Sequence, residues 1–409
     1  MKKYLALFFL TCAACNNPAT HKANEADSLI YIKIEKPDFS KLQPLLLSEL
    51  VDSIQYIQLE TSSDCLLPTE GGTLLRSDNL IFSAYSEKLY QFDTNGKFIR
   101  QIGSVGRGPG EFALSASRYA IDEVNRKIFV ISRYNDCPLG FDFDGNYLGT
   151  VCDSTLMSCY QIISRFEVGD GHFVFVPYPG DSASQMICKP YELILYDYVN
   201  RKIVQSLTNR MVCNVDRVHH NLRLGLQTLQ KHDGRLFYKS FYNDTLYVIG
   251  DGKIRPHAIV DLGKWKYPAD LMYSSHPINP RPGRAGKILI DYMFPHHKYI
   301  LFDCMALNGS SANNESFICK YDINTDNVSY HQPYIINNWD GGANIFMSRI
   351  IRGISAVPFP DEEMENKDIY FSNIKESELK HPEQREKFGQ MQQRRKENDN
   401  PLLMTWRLK

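Results

Sequence analysis

The chain has 409 residues, of which 43% are hydrophobic and 23% charged, with a formal net charge of −1. That composition is ordinary for a folded protein and excludes a disordered, collagenous or small disulfide-stapled chain. A charge this close to zero supplies no global field, so neither nucleic acid nor an anionic membrane surface is expected as a partner through electrostatics alone.

The first element in chain order is a signal peptide over residues 1–14. Lys2 and Lys3 precede an apolar run over residues 5–14, too short to span a bilayer but right for a signal-peptide core. The run ends in Ala13 and Ala14, directly before Cys15, an arrangement that resembles the lipobox. In that motif the cysteine becomes the lipidated first residue of the mature protein; the position three before it, usually Leu, here holds Cys12. Cys15 is therefore the expected lipidation site. Residues 16–28 are polar and lack aromatics, and read as the rest of a tether over 15–28.

Residues 29–35 alternate, with Ile30, Ile32 and Ile34 on one side, the period of a half-buried strand. No Pro/Ser linker or charge block divides the remainder of the chain, so residues 29–409 are expected to form one domain. Within it a pattern of strand, strand, tight turn and strand recurs. Residues 81–83 and 88–93 lead to Asn95 and Gly96 and then to 97–102; residues 127–131 and 139–142 lead to Asp144 and Gly145 and then to 146–151. Weaker copies lie at 173–176 with 193–197, at 235–238 with 245–249 before Asp251 and Gly252, and at 299–302 with 317–322. Asn-Gly and Asp-Gly supply the positive φ that two-residue hairpins require. A spacing of about 45–65 residues suits four-stranded propeller blades, which bury both faces by stacking around an axis. A β-sandwich of similar meanders is the competing architecture, and the length of the repetition favours the propeller.

Residues 377–398 contain no β-branched residue and are rich in Glu, Gln, Lys and Arg, which predicts a polar helix with Pro382 in its first turn. The chain then ends in a strand over 401–408, where Leu402, Met404 and Trp406 alternate with Leu403, Thr405 and Arg407. This strand is expected to close the ring by pairing with residues 31–35 or 53–60, leaving no open edge.

Residues 92–103, followed by Gly106, Arg107, Gly108, Pro109, Gly110, Glu111 and Phe112, resemble an NHL-type propeller repeat. More narrowly, the chain is similar over residues 42–409 to a six-bladed β-propeller lipoprotein family of Gram-negative gut-type bacteria, with an NHL/TolB-like propeller. Residues 51–61, residues 242–247 with Gly252 and Pro256, and residues 398–403 agree with that resemblance. It implies an all-β, six-bladed propeller of four-stranded blades and an export route. It implies no established reaction.

Candidate chemistry is sparse. The glycine-rich stretch 103–111 has no helix N-terminus or Lys-Ser/Thr behind it to cradle a phosphate, and reads as a tight inter-blade connection. Arg107 and Glu111 are its candidates for ligand contact. His219 with His220 and His296 with His297 invite a metal reading, but neighbours on a strand point to opposite faces. Asp142 and Asp322 sit in turn sequences that lack the ligand spacing of a calcium loop. No Gly-x-Ser-x-Gly elbow is present, and His172, His232 and His257 have no nameable catalytic partner. Cys65, Cys137, Cys152, Cys159, Cys188, Cys213, Cys304 and Cys319 form no C-x-x-C pair and read as buried thiols. No catalytic or metal residue and no cofactor is assigned. The expectation is a monomeric, lipid-anchored envelope protein that binds or scaffolds a glycan, a peptide or an envelope protein, with an NHL-type lyase or hydrolase bearing an axial metal as the alternative. Asn16, Asn17 and Pro18 lack an acidic cluster of the kind that resembles a surface-export signal, which favours the periplasmic face.

Overall fold

Aspartate-led turns set the architecture. In the Asp93 turn, one carboxylate oxygen accepts from the N–H of Asn95 and of Lys97, both at 2.9 Å. Gly96 takes φ +85° there, and a Cβ would collide with the Gln58 carbonyl of the neighbouring blade. Asp142 repeats the device, accepting from Asp144 at 2.9 Å and Asn146 at 2.8 Å, and Asp322 accepts from Asn324 at 3.0 Å and Thr325 at 2.9 Å. These carboxylates are spent on backbone donors, which is turn chemistry.

The computed structural model describes residues 29–409 apart from 68–72, 78–79, 86–87, 113–118, 133–136, 152–162, 178–190, 209–227, 233, 241–242, 268–284, 309–313, 351, 359–370 and 397. The sheets are arranged as a six-bladed β-propeller. The first blade comprises Thr73–Arg76, Leu80–Tyr85, Lys88–Asp93 and Phe98–Ile102, and the second Tyr119–Asp122, Lys127–Val130, Leu139–Asp142 and Tyr147–Thr150. The third comprises Ile163–Gly169, His172–Pro177, Tyr191–Asp197 and Lys202–Thr208. Thr228–His232, Arg235–Lys239, Thr245–Gly250 and Lys253–Asp261 make the fourth, and Ile288–Pro295, Tyr299–Ala306, Glu315–Asp322 and Asn327–Ile336 the fifth. Each is an antiparallel meander, so its first-to-second and third-to-fourth turns emerge on one side of the ring, the hairpin face. The links between blades emerge on the other.

The sixth blade joins the two ends of the sequence. Leu402–Leu408 pairs with Ile354–Ala356 on one side and with Val51–Gln58 on the other. Of the two expected partners, the structure selects the second. Ile30–Lys33 instead runs parallel to Lys253–Asp261 on the rim of the fourth blade, and Gln43–Leu46 covers the fifth in the same way. Those additions explain the alternation at the N-terminus: Ile32 and Ile34 are buried, while Tyr31 is 70% exposed. In the sixth blade the short helix Met347–Ile350 stands before Gly353 and Ile354–Ala356, where the other blades have an inner strand.

The expected C-terminal helix is shorter than 377–398, spanning Pro382–Arg394. Proline disfavours helical geometry in the residue before it, and His381 sits at φ −133°, ψ 67°, so the helix cannot extend backwards. A separate 3-10 turn covers Glu376–Glu378, and Arg395 is already extended. Phe388 is the helix's buried residue, its ring 4.6 Å from that of Tyr56 on the outer strand of the sixth blade. No helix among the described residues is long and apolar enough to cross a membrane.

The core is a ring of seams. Each buried cluster straddles two neighbouring blades: Phe82 with Ile128, Phe129 with Phe173, Val174 with Leu236, Phe237 with Phe302, Phe294 with Met404, and Leu403 with Ile81. The last two seams exist only because the C-terminal strand is in place. Cys65, Cys137, Cys304 and Cys319 are buried free thiols, whereas Cys152, Cys159, Cys188 and Cys213 lie outside the described residues.

Candidate functional site

The inner strands surround the axis, and near its hairpin end they leave a cavity of about 350 Å³. Every blade contributes to the lining: Arg76, Glu123, Glu167, Lys231, Tyr292 and Arg352, in blade order. Arg76 ends the inner strand of the first blade, Glu123 follows that of the second, and Lys231 is the penultimate residue of that of the fourth. Arg352 lies just beyond the short helix of the sixth blade, whose Ser348 also faces the cavity. Charge is therefore grouped by blade, with cations on the first and sixth, carboxylates on the second and third, and a lysine on the fourth.

Beside the axis the His232 ring lies 5.5 Å from that of His296 and 5.1 Å from Phe294, and His296 stacks on Tyr299 at 4.4 Å. His297 is 4.0 Å from His296, ring to ring. The histidines thus take part in an aromatic stack, and among the described residues no group of three or more His, Cys, Asp or Glu is placed to hold a metal ion. His219 and His220 lie outside the described residues, as do the signal peptide, Cys15 and the tether.

The glycine-rich connection forms a second feature, on the face opposite the hairpins. Ser104–Val105 pairs in parallel with Glu111–Phe112, closing a small loop. The Glu111 carboxylate accepts from the Gly108 N–H at 2.8 Å, and the Glu111 N–H donates to the Gly108 carbonyl at 3.0 Å. Gly103, at φ +61°, leaves no room for a Cβ against the Phe112 ring, which is fully buried and edge-on to Phe141. Glu111 thus locks its own loop. Arg107, exposed, lines an open depression of about 540 Å³ with Ser132, Leu139 and Tyr147. Glu111 lines the same depression as Arg107, and neither residue lies at the axis.

A largely buried polar group spanning the third, fourth and fifth blades was not apparent from sequence. Lys239 donates to the Ser240 carbonyl at 3.1 Å, and the Ser240 hydroxyl donates to Glu192 at 2.8 Å. Burial pulls the Lys239 amine down to about 8, against the opposing pull of Asp291 and Asp244. Burial, aided by the negative charge of Asp291, pushes the Asp303 carboxyl up to about 7. A carboxyl raised on folding contributes stability at low pH that is lost as pH rises through its folded value, here between about 4 and 7. A lysine lowered on folding contributes stability at high pH that is lost as pH falls towards about 8. Stability from this pair is lowest between those windows. Asp303→Asn is expected to raise the melting temperature at pH 7.5, by the equivalent of a few kcal/mol, and to leave it unchanged at pH 4. Parallel melting curves of wild type and variant across that range would refute the assignment.

A family model described as Domain of unknown function (DUF4934) matches residues 29–407. Among solved structures, a putative exported protein from Bacteroides fragilis superposes with a TM-score of 0.58 at 17% identity, covering 93% of this chain and 100% of that one. A member of the duf4221 family from Bacteroides vulgatus gives a TM-score of 0.45 at 10% identity, covering 90% and 99%. The first similarity is one of fold. No curated protein matches the chain.

Proposed function

The chain belongs to the DUF4934 family, and from that premise we propose that it is an exported binding or scaffold module of the bacterial envelope, recognising a glycan, a peptide or an envelope protein. The observation that carries this reading is the axial cavity, which all six blades line and to which five contribute a charged side chain. A concavity with a few convergent polar groups is the usual form of a small-ligand site. The exported-protein description of the Bacteroides fragilis neighbour is consistent with the location. A broad glycan, peptide and envelope-extract binding screen with the purified full chain tests the module. Turnover of those ligands at enzyme-like rates would replace it with a catalytic reading.

Anchoring belongs to the same proposal. A lipid at Cys15 would hold the protein in a membrane leaflet, with the periplasmic face favoured. The strand direction supports an anchor on the hairpin side. Ile30 pairs with Ala258 and Lys33 with Asp261 in parallel, so the N-terminal end of this strand lies on the side of the Asp251 turn. The face bearing the 103–112 connection would then point away from the lipid. Mass spectrometry of the N-terminal peptide should show a diacylglyceryl-modified Cys15 in the wild type, and Cys15→Ala should release the protein from membranes. An unmodified Cys15 in membrane-purified protein would contradict the anchor.

A further inference from the structure

We propose that the axial cavity is a site for a small carboxylate-bearing ligand whose acid group sits beside hydrogen-bond donors; this rests on the binding-module reading and names its ligand chemistry. Round the axis, the lining runs Arg352, Arg76, Glu123, Glu167, Lys231 and Tyr292. Arg352 and Arg76 belong to adjacent blades, packed together through the Ile81, Ile354 and Leu403 seam. Neither arginine, nor Lys231, forms an ion pair with another described residue. Such cations inside a concavity select an anion, and guanidinium matches carboxylate in a planar, two-pronged hydrogen bond.

The next two blades limit which anion fits. Glu123 and Glu167 bring carboxylates into the same concavity, which disfavours a ligand that is anionic all round, such as inorganic phosphate, and favours one that also presents hydroxyl or ammonium groups. A carboxylate flanked by donors satisfies both arcs. Two sources supply that chemistry: a uronic acid sugar, through hydroxyls, and an amino acid or dipeptide, through its ammonium. A volume of about 350 Å³ suits one or two such units. Polymer recognition at this site would be recognition of an end.

Calorimetry on the folded full chain tests the assignment with six probes: glucuronate and its dimer, alanine and its dipeptide, glucose as the uncharged counterpart, and inorganic phosphate. Either the uronate or the amino-acid arm should bind at least tenfold more tightly than both glucose and phosphate, and the stronger arm identifies the source. The double variant Arg76→Ala, Arg352→Ala should weaken that binding at least tenfold, while Arg76→Lys retains part of it. Both arginines are exposed, so unchanged melting temperatures are expected and serve as the folding control. Glucose binding as tightly as the acids, phosphate binding most tightly, no acid binding at all, or a double variant with unaltered affinity would each overturn the ligand class. A ligand found by the broader screen would still support the module.

Discussion

Removal of residues 402–409 is expected to abolish folding of the whole ring, because Leu402–Leu408 is the middle strand of the blade that joins the two ends of the sequence. It is paired along both edges, from Leu402 opposite Gln58 to Leu408 opposite Val51, and from Leu403 opposite Ala356 to Thr405 opposite Ile354. Leu402, Leu403, Met404 and Trp406 are all at most 4% exposed, and the Trp406 indole donates to the Ile350 carbonyl at 3.0 Å. At about 1.5–3 kcal/mol for each large apolar side chain, their burial contributes roughly 6–12 kcal/mol. A whole domain is typically stable by about 5–15 kcal/mol. The two seams on either side of the sixth blade, which the strand helps to build, would open together. Near-ultraviolet circular dichroism and thermal melting check this, and a truncated chain that melted cooperatively at the wild-type temperature would contradict ring closure.

Asn400→Ala should be the most damaging single polar substitution, with a loss on the order of 3–5 kcal/mol from several buried partners left without hydrogen bonds. Asn400 is fully buried where the chain turns into the closing strand. Its side-chain oxygen accepts from the Leu67 N–H at 2.6 Å, and its side-chain nitrogen donates to the carbonyls of Cys65, at 2.8 Å, and of Glu60. Its backbone N–H donates to the Thr61 hydroxyl at 2.8 Å, and its carbonyl accepts from Gln58 at 2.6 Å. Alanine strands the Leu67 donor and the two carbonyls at once. Asn400→Asp turns a donor into an acceptor facing two carbonyl oxygens, so its defect should be severe at pH 7 and relieved by acidification. Urea midpoints equal to wild type for both variants would show that the hub is not structural.

These effects fall where the sequence was most readable. Asp93 with Gly96 and Asp142 with Gly145 announced their hairpins through a glycine at positive φ and an aspartate that supplies a backbone acceptor, although each loop closes over three residues rather than the expected two. The closing strand was legible from the alternation of Leu402, Met404 and Trp406. Its partner was not, because Ile30–Lys33 and Val51–Gln58 both look like half-buried strands, and only the ring decides which lies on a rim. The inner element of the sixth blade was not legible either, since Met347–Ile350 is a single helical turn. The Glu111 loop was readable from its glycines. The axial residues were not, because Arg76, Glu123, Glu167, Lys231, Tyr292 and Arg352 come one to a blade, far apart in sequence and with no shared motif. Closure alone makes them neighbours. Lys239 and Asp303 were hidden for the opposite reason: period-2 reasoning assigns a charged residue to solvent, whereas Lys239 is buried and Asp303 half-buried.

The central claim is an axial binding site in a closed six-bladed ring, and hydrogen–deuterium exchange of the full chain with and without its tightest ligand tests it most directly. Protection should grow along the inner strands Thr73–Arg76, Tyr119–Asp122 and Thr228–His232 and around Arg352, the elements that line the axis. The outer strands, such as Phe98–Ile102 and Lys202–Thr208, should exchange as before. Protection confined to the outer strands, or to the 103–112 connection with the axis unchanged, would contradict the account.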